Sequence, residues 1–161
     1  MVVIIMGVTG SGKTTIGRRL AAKLGWRYFD ADDFHPPANI EKMSGGRPLN
    51  DDDRLPWLER LRTLIRECLE RSENCVLACS ALKRSYRDYL LLDARVKLVY
   101  LKGDADLIQS RLNQRRGHYM DPALLDSQFA ILEEPGTETQ VDIAASPDEI
   151  VRTIEARLQQ A

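Results

Sequence analysis

Residues 2–14 read VVIIMGVTGSGKT, an apolar run followed directly by a glycine-rich turn. The run at residues 2–5 is rich in β-branched side chains and predicts a buried strand. The turn at residues 7–14 matches the pattern G-x-x-x-x-G-K-[ST] at every fixed position. A strand before the turn and a helical pattern after it are the context that this motif requires. We therefore predict a phosphate-binding loop rather than a chance match in a glycine-rich turn.

The residues of this turn have distinct parts in holding phosphate groups. Glycines let successive backbone amides turn inward around phosphate oxygens, at the positive end of the helix that follows. Lys13 is expected to reach the β- and γ-phosphates, and the Thr14 hydroxyl is expected to ligate Mg²⁺. We assign nucleotide binding to Gly7, Thr9, Gly10, Ser11, Gly12, Lys13, Thr14 and Thr15.

The composition indicates one domain over residues 1–161, with 43% hydrophobic residues available for a core. Twenty-three basic residues balance 24 acidic ones, so there is no electrostatic reason to expect nucleic acid or an anionic membrane as partner. No apolar run approaches the roughly 20 residues of a membrane span, and the apolar start lacks a signal peptide's basic leader. Cys68, Cys75 and Cys79 lack metal-ligand spacing and are expected to be buried thiols. These features predict a cytoplasmic location.

Strand and helix patterns alternate along the chain, which predicts an α/β fold with a parallel five-stranded sheet flanked by helices. Ligands of such sheets bind beyond the carboxyl ends of the strands, where the glycine-rich turn lies. We expect strands at 2–5, 27–30, 75–79, 96–101 and 141–143, and helices at 14–24, 35–46, 51–69, 83–92, 104–113, 124–132 and 147–158.

The chain lacks the signatures of other nucleotide-binding classes. Neither D-x-x-G nor N-K-x-D of a GTPase occurs, and the third strand ends without the carboxylate of a motor or helicase-type ATPase. The best-placed acids are Asp30 and Asp32, which in an extended segment would point the same way. One carboxylate could hold the water shell of a metal while the other takes a substrate proton, as small kinases require. A solvated acidic loop is the alternative interpretation.

Two basic residues follow the third strand. Lys83 and Arg87 are four residues apart on a predicted helix, so they share one face and could clamp an anionic substrate. Exposed charges on a solvated surface are the alternative.

A second basic cluster predicts a lid at residues 114–122. Arg111, Arg115 and Arg116 precede a glycine that permits hinge motion, so the lid could bring guanidinium groups onto the transferring phosphate. His118 lies on the same segment, and we expect it to orient substrate or to have a structural role rather than to act as the general base.

The strings HPPANIEKM at residues 35–43 and PLNDDDRLPW at residues 48–57 give the chain a resemblance to the gluconokinase family, small P-loop kinases that phosphorylate D-gluconate at its 6-hydroxyl. The strings H-P-x-x-N-I-E-K-M and P-L-N-D-D-D-R-x-P-W are specific to this family, whereas the glycine-rich turn is shared widely. The departures are mild, because Thr14 keeps the hydroxyl of the commoner Ser and Tyr119 replaces Phe. The matching segments are MGVTGSGKT (6–14), DADDFHPPANIEKMSGGRPLNDDDRLPWL (30–58), CSALKRSYRDYL (79–90), LKGDADLIQSRLNQRRGHYM (101–120) and SQFAILEEPG (127–136).

The resemblance implies a P-loop fold of the nucleoside-monophosphate and shikimate kinase type, with a substrate-binding segment at about 32–58 and the lid at about 114–122. It implies ATP, Mg²⁺ and D-gluconate as ligands, and often a homodimer. By analogy, Asp30 lies near Mg²⁺, Asp32 near the accepting hydroxyl and Arg111 near the adenine. The implied catalytic set is Lys13, Asp32, Arg115 and Arg116, and the implied substrate contacts are Asp32, His35, Lys83, Arg87 and His118.

The residues alone predict only a kinase of a small, anionic, hydroxylated molecule. A shikimate-type or nucleotide kinase and a nucleotide-binding regulatory protein without turnover remain alternatives. Which of the two aspartates is the base also stays open at this point.

Overall fold

The computed structural model describes residues 1–114 and 122–160. The strands are β1 (Val2–Met6), β2 (Arg27–Asp30), β3 (Cys75–Ala78), β4 (Val96–Lys102) and β5 (Gln140–Asp142). The helices are α1 (Lys13–Leu24), α2 (Pro37–Ser44), α3 (Asp51–Glu70), α4 (Arg84–Leu90), α5 (Ala105–Gln114), α6 (Pro122–Ile131) and α7 (Pro147–Gln159).

The strands form one parallel sheet in the order β2-β3-β1-β4-β5. All five residues of β1 are buried, and its first residue, Val2, lies opposite Cys75 on one side and Val96 on the other. Helices α3 and α4 cover one face of the sheet, and α1, α5 and α7 contribute to the core on the other. This double cover explains why the central strand is apolar without alternation. The predicted α/β fold with a parallel five-stranded sheet is confirmed.

Other expectations from composition also agree with the described residues. The three cysteines are buried and free, as their spacing predicted. Within residues 1–114 and 122–160, no helix combines the length and apolar character that crossing a membrane requires.

The chain after β2 differs from the expected extended segment. Residues Ala31–Phe34 form a 3₁₀ turn, and the Asp30 carboxylate accepts a hydrogen bond from the Asp32 amide at 2.9 Å. A short acidic side chain at the start of a helical turn satisfies an otherwise unpaired amide, and this favours the turn over an extended backbone. The interpretation that Asp30 and Asp32 point the same way through strand alternation was therefore wrong, although the turn still keeps the two carboxylates close together.

Helix α2 is held against the start of α3 by side chains of the H-P-x-x-N motif. The His35 ring stacks on Trp57 with ring centroids 4.6 Å apart and an interplanar angle of 10°. The Asn39 Nδ2 donates to the Asp53 carbonyl at 2.8 Å and lies 3.2 Å from His35 Nδ1. Lys42 adds an ion pair to Asp53 at 2.5 Å. The motif therefore joins two helices of the predicted substrate-binding segment.

Replacement of Asn39 by Ala should lower the free energy of unfolding by about 1–3 kcal/mol, because it leaves the Asp53 carbonyl without its donor at a buried position. Denaturant unfolding of both proteins measures the difference. Asn113→Ala is the matched control, because that asparagine is exposed and contacts only Gln109 within its own helix among the described hydrogen bonds. Equal effects of the two substitutions would contradict the joining role of Asn39.

Candidate active site

The turn between β1 and α1 leaves the first amides of α1 without a side-chain cap from the described residues. Gly12 precedes the helix with φ 99°, a left-handed conformation that favours glycine. Because glycine has no side chain, it cannot cap the first amides of the helix. The first turn of α1 also contains no acidic residue, and Thr14 and Thr15 are exposed there. Lys13 Nζ donates to the Val8 carbonyl at 3.0 Å, which folds the lysine back over the turn. This arrangement suits an anion, because the amides and the helix dipole favour negative charge.

Two helices from later in the chain support this turn. Gly10 has φ 79°, and a Cβ at this position would lie 2.7 Å from the Leu112 side chain of α5. The Thr9 amide donates to Gln128 Oε1 of α6 at 2.7 Å. Sequence reasoning missed Gln128, although it belongs to the matching segment at 127–136. The helices on either side of residues 115–121 therefore contact the phosphate-binding turn directly.

Asp32 lies in the 3₁₀ turn after β2, is exposed to solvent in part and is close enough to Lys13 to interact with its charge. Desolvation and the negative charge of Asp30 raise the pKa of the Asp32 carboxyl, and the nearby charge of Lys13 opposes that rise. Cys79, directly after β3, is buried near the same charged groups, and burial raises the pKa of its thiol to about 12. The thiol therefore stays neutral at physiological pH and adds no charge near Asp30 and Asp32.

His35 occupies a buried position between α2 and Trp57. Burial, with the charge of Arg54 adding to it, lowers the pKa of His35, so the imidazole is neutral at pH 7. Asn39 Nδ2 can only donate, and the facing His35 Nδ1 must then accept. The proton of the neutral ring consequently sits on Nε2. His35 has a structural contact in this arrangement, and its role as a substrate contact stays a prediction.

A cationic cluster joins the starts of α3 and α4. Lys83 Nζ donates to the Asp51 carboxylate at 2.9 Å and 3.2 Å, and the Tyr86 hydroxyl donates to the same carboxylate. Arg54 donates to the Tyr86 hydroxyl at 3.1 Å, and its charge also reaches His35. Sequence reasoning missed Arg54, which lies in the family-specific string P-L-N-D-D-D-R-x-P-W. Arg54 and Lys83 thus share Tyr86 as a neighbour.

Arg87 differs from the expected exposed clamp. Its NH1 donates to the carbonyls of Ala81 and Leu82 at 2.9 Å and 3.0 Å, and its NH2 donates to the Glu133 carbonyl at 2.6 Å. The residue is only 5% exposed, and burial lowers the pKa of its guanidinium. Ala81 has φ 45°, a strained conformation for alanine, and the hydrogen bonds from Arg87 to the carbonyls of residues 81 and 82 stabilise this loop after β3. The prediction that Lys83 and Arg87 share one helix face and clamp an anionic substrate finds no support at Arg87, because main-chain carbonyls occupy its guanidinium, and its contact with substrate stays a prediction.

The arginines assigned to nucleotide and lid fall into two groups. Arg111 NH2 donates to the Ile143 carbonyl just after β5 at 2.6 Å, at the carboxyl edge of the sheet. Arg115, Arg116 and His118 lie outside the described residues, as does the core of the expected lid. Their assigned roles stay predictions.

Comparisons with known proteins bear on the family of this fold and site. A family model of shikimate kinase matches residues 9–154. A curated probable gluconokinase of Mus musculus is 44% identical, with 95% of each chain covered, and the gluconokinase of Gluconobacter oxydans is 46% identical over 86% of this chain and 78% of that protein. A crystal structure of a gluconokinase from Sinorhizobium meliloti superposes with a TM-score of 0.86 at 43% identity, covering 98% of this chain and 91% of that one. The chain belongs to the gluconokinase family.

Membership in the gluconokinase family confirms the resemblance drawn from the sequence motifs, the enzyme class and the shikimate-kinase type of fold. Kinases of this family imply ATP as the phosphoryl donor. The individual site residues, the domain boundaries and a homodimer stay predictions.

Replacement of Arg87 by Met should lower the free energy of unfolding by about 2–3 kcal/mol, because it removes a buried guanidinium that donates to three carbonyl groups, of which the Leu82 carbonyl keeps the Glu133 amide as a donor. Chemical denaturation measures the loss. Arg84→Met is the matched control on the same helix, since Arg84 is exposed and lies 3.8 Å from Asp88, and its effect should stay within about 0.5 kcal/mol.

The same pair of variants also tests the expected anion clamp. A stable Arg87→Met protein whose KM for an anionic substrate rises would restore Arg87 as a substrate contact and contradict the structural role.

Proposed function

We propose that the protein transfers the γ-phosphoryl group of ATP to the 6-hydroxyl of D-gluconate and releases 6-phospho-D-gluconate. The observation that carries the proposal is the placement of Asp32, a carboxyl of raised pKa, within reach of the charge of Lys13 at the phosphate-binding turn. Curated relatives named gluconokinase, at 40–48% identity, support the sugar acid as the acceptor. ATP would lie with its phosphates at the start of α1.

Phosphoryl transfer depends mainly on positioning and on stabilisation of charge in the transition state. The uncapped amides of α1 and the Lys13 ammonium would hold the β- and γ-phosphates. Asp32 would accept the proton of the attacking hydroxyl, and its raised pKa brings it closer to the range useful for a base near neutral pH. Asp30, whose Oδ1 is engaged by the Asp32 amide, would serve the metal side of the site.

The residues at the start of α1 fit Mg²⁺. The described residues hold no cluster of three or more His, Cys, Asp or Glu side chains, and Mg²⁺ in kinases needs only one or two carboxylates together with phosphates and water. The exposed Thr14 hydroxyl and the Asp30 carboxylate supply oxygen donors of that kind. They would hold the ion, which when bound neutralises charge on the phosphate oxygens.

Lys83 and Arg54 are our candidates for the groups that bind the gluconate carboxylate. Both cations contact Tyr86, which holds them between α3 and α4, and the charge of Arg54 reaches His35 beside the acidic turn. The gluconate molecule would then extend from this cluster, which would bind its carboxylate, to Asp32, which would face its 6-hydroxyl. Arg87 is omitted, because its guanidinium already donates to three carbonyls. Arg115 and Arg116 are retained as the lid residues that would reach the transferring phosphate.

The substrate is tested with a panel of acceptors. We expect ATP- and Mg²⁺-dependent ADP release with D-gluconate, and little with glucose, shikimate or nucleoside monophosphates. Glucose lacks the carboxylate that would contact Arg54 and Lys83, and the rings of shikimate and of a nucleotide differ in shape from an open polyhydroxyl chain. Preference for shikimate or a nucleotide would contradict gluconate as the acceptor and would leave the assignment as a kinase intact. Absence of ADP release with every acceptor would favour a nucleotide-binding regulatory protein.

The base is tested with Asp32→Asn. Turnover should fall by about 10²–10⁴-fold while ATP still binds, because the amide keeps the shape of the side chain but accepts no proton. Since the pKa of Asp32 is raised, kcat/KM of the unchanged enzyme should fall on acidification at a pH above the ordinary carboxyl range, and the substitution should remove this acidic limb. The neighbouring exposed Asp33→Asn is the matched control: it should keep the rate and retain the acidic limb, displaced to slightly lower pH, because the charge of Asp33 contributes to the raised pKa of Asp32. An Asp32→Asn enzyme with normal turnover would place the base elsewhere.

A further inference from the structure

Tyr28 lies on β2 and packs its ring against α1. It is two residues before Asp30, so both side chains project from the same face of the strand. A Cβ on Gly17 of α1 would lie 2.8 Å from the Tyr28 ring, and the Arg18 guanidinium carbon lies 5.5 Å from the ring centroid. Glycine within a helix costs about 0.5–1 kcal/mol relative to alanine. The helix therefore gives up stability at a position where the ring needs the space.

The hydroxyl of Tyr28 is buried, and no described residue meets the full geometry of a hydrogen bond to it, although the side chains of Thr14 and Asp30 lie close by. A buried hydroxyl without a partner costs about 1–3 kcal/mol, and such groups in a native structure point to a ligand, ion or water that completes them. A tyrosine hydroxyl is protonated near neutral pH, so it can donate to such a group.

The Tyr28 hydroxyl lies near Thr14 and Asp30, the two residues that would hold the metal in the proposed function. Thr14 lies three residues before Gly17, on the same side of α1 as the ring, and Asp30 follows Tyr28 on the same side of β2. The hydroxyls of Tyr28 and Thr14 and the carboxylate of Asp30 thus converge at the start of α1. Three polar groups are the number that an ordered water usually binds.

We infer that Tyr28 is a positioning residue of the metal side of this site: its hydroxyl donates to a water that Thr14 and Asp30 also hold when the magnesium nucleotide is bound. The inference rests on the proposed function in taking Thr14 and Asp30 as that metal side. Tyr28 acts through the water and touches neither the metal nor the transferred phosphoryl group. The unpaired hydroxyl and the glycine opposite its ring are then features of a site that is completed by its ligand.

The test is Tyr28→Phe, which removes the oxygen and keeps the ring against Gly17. Calorimetric titration of ADP with and without Mg²⁺ measures the coupling between metal and nucleotide. We expect the apparent affinity for Mg²⁺ in the ADP complex to fall by about 10–100-fold, as for other groups that orient metal ligands. ADP affinity in EDTA should stay unchanged, and the melting temperature should be equal or higher, because a buried unpaired hydroxyl is gone.

Tyr100→Phe is the matched control, since this buried tyrosine donates to Glu134 at 3.4 Å and should leave Mg²⁺ affinity unchanged. The double variant Thr14→Val, Tyr28→Phe should lose less Mg²⁺ affinity than the sum of the single changes, because both groups hold one water. Unchanged Mg²⁺ affinity in folded Tyr28→Phe would overturn the inference, as would an equal loss of ADP affinity in EDTA. These titrations need no gluconate, so failure of the acceptor panel and failure of this inference are distinguishable.

Discussion

Parallel pairing of β1 with both β3 and β4 is the constraint on which the rest of the structure depends. Strand β1 is buried on both faces, so its residues must be apolar and both faces must be covered by helices. Parallel strands also end at the same edge of the sheet. The phosphate-binding turn after β1, the acidic turn after β2 and the strained loop after β3 are thereby brought together at one edge, although they lie far apart in sequence.

Long-range contacts hold these loops in place. Gln128 and Leu112 support the phosphate-binding turn from α6 and α5. Arg87 holds the loop after β3 against the segment that follows α6, where the Glu133 amide also donates to the Leu82 carbonyl at 2.9 Å. The family-specific strings at 35–43 and 48–57 have a comparable part, because they join α2 to the start of α3. Much of what makes this family recognisable in sequence is therefore support for the site rather than the reacting groups themselves.

Several locally unfavourable features lie around the same edge. The Tyr28 hydroxyl and the Ser11 hydroxyl are buried without hydrogen-bond partners among the described residues, and Ala81 has a positive φ. Ser72, with φ 54° after α3, and Pro56 inside α3 are exceptions elsewhere, whereas the capping boxes that begin α3 and α7 follow the local rules. Strain and unpaired groups persist where a ligand or a rigid neighbourhood compensates for them. Their position at the phosphate-binding turn and its neighbouring loops is independent support for the location of the site.

The sequence by itself determined the sheet, the phosphate-binding turn and the family, because these depend on local patterns: an apolar strand, glycines at fixed spacing and uninterrupted motifs. It did not determine the direction of side chains that respond to distant partners. Arg87 and Lys83 have the same helical spacing whether they face solvent or the interior, and only the carbonyls of residues 81, 82 and 133 decided that Arg87 turns inward. The tertiary structure likewise brought Arg54 to Tyr86, Gln128 to Thr9 and Tyr28 to α1, because each contact joins segments whose proximity arises only after the sheet and its helices have packed.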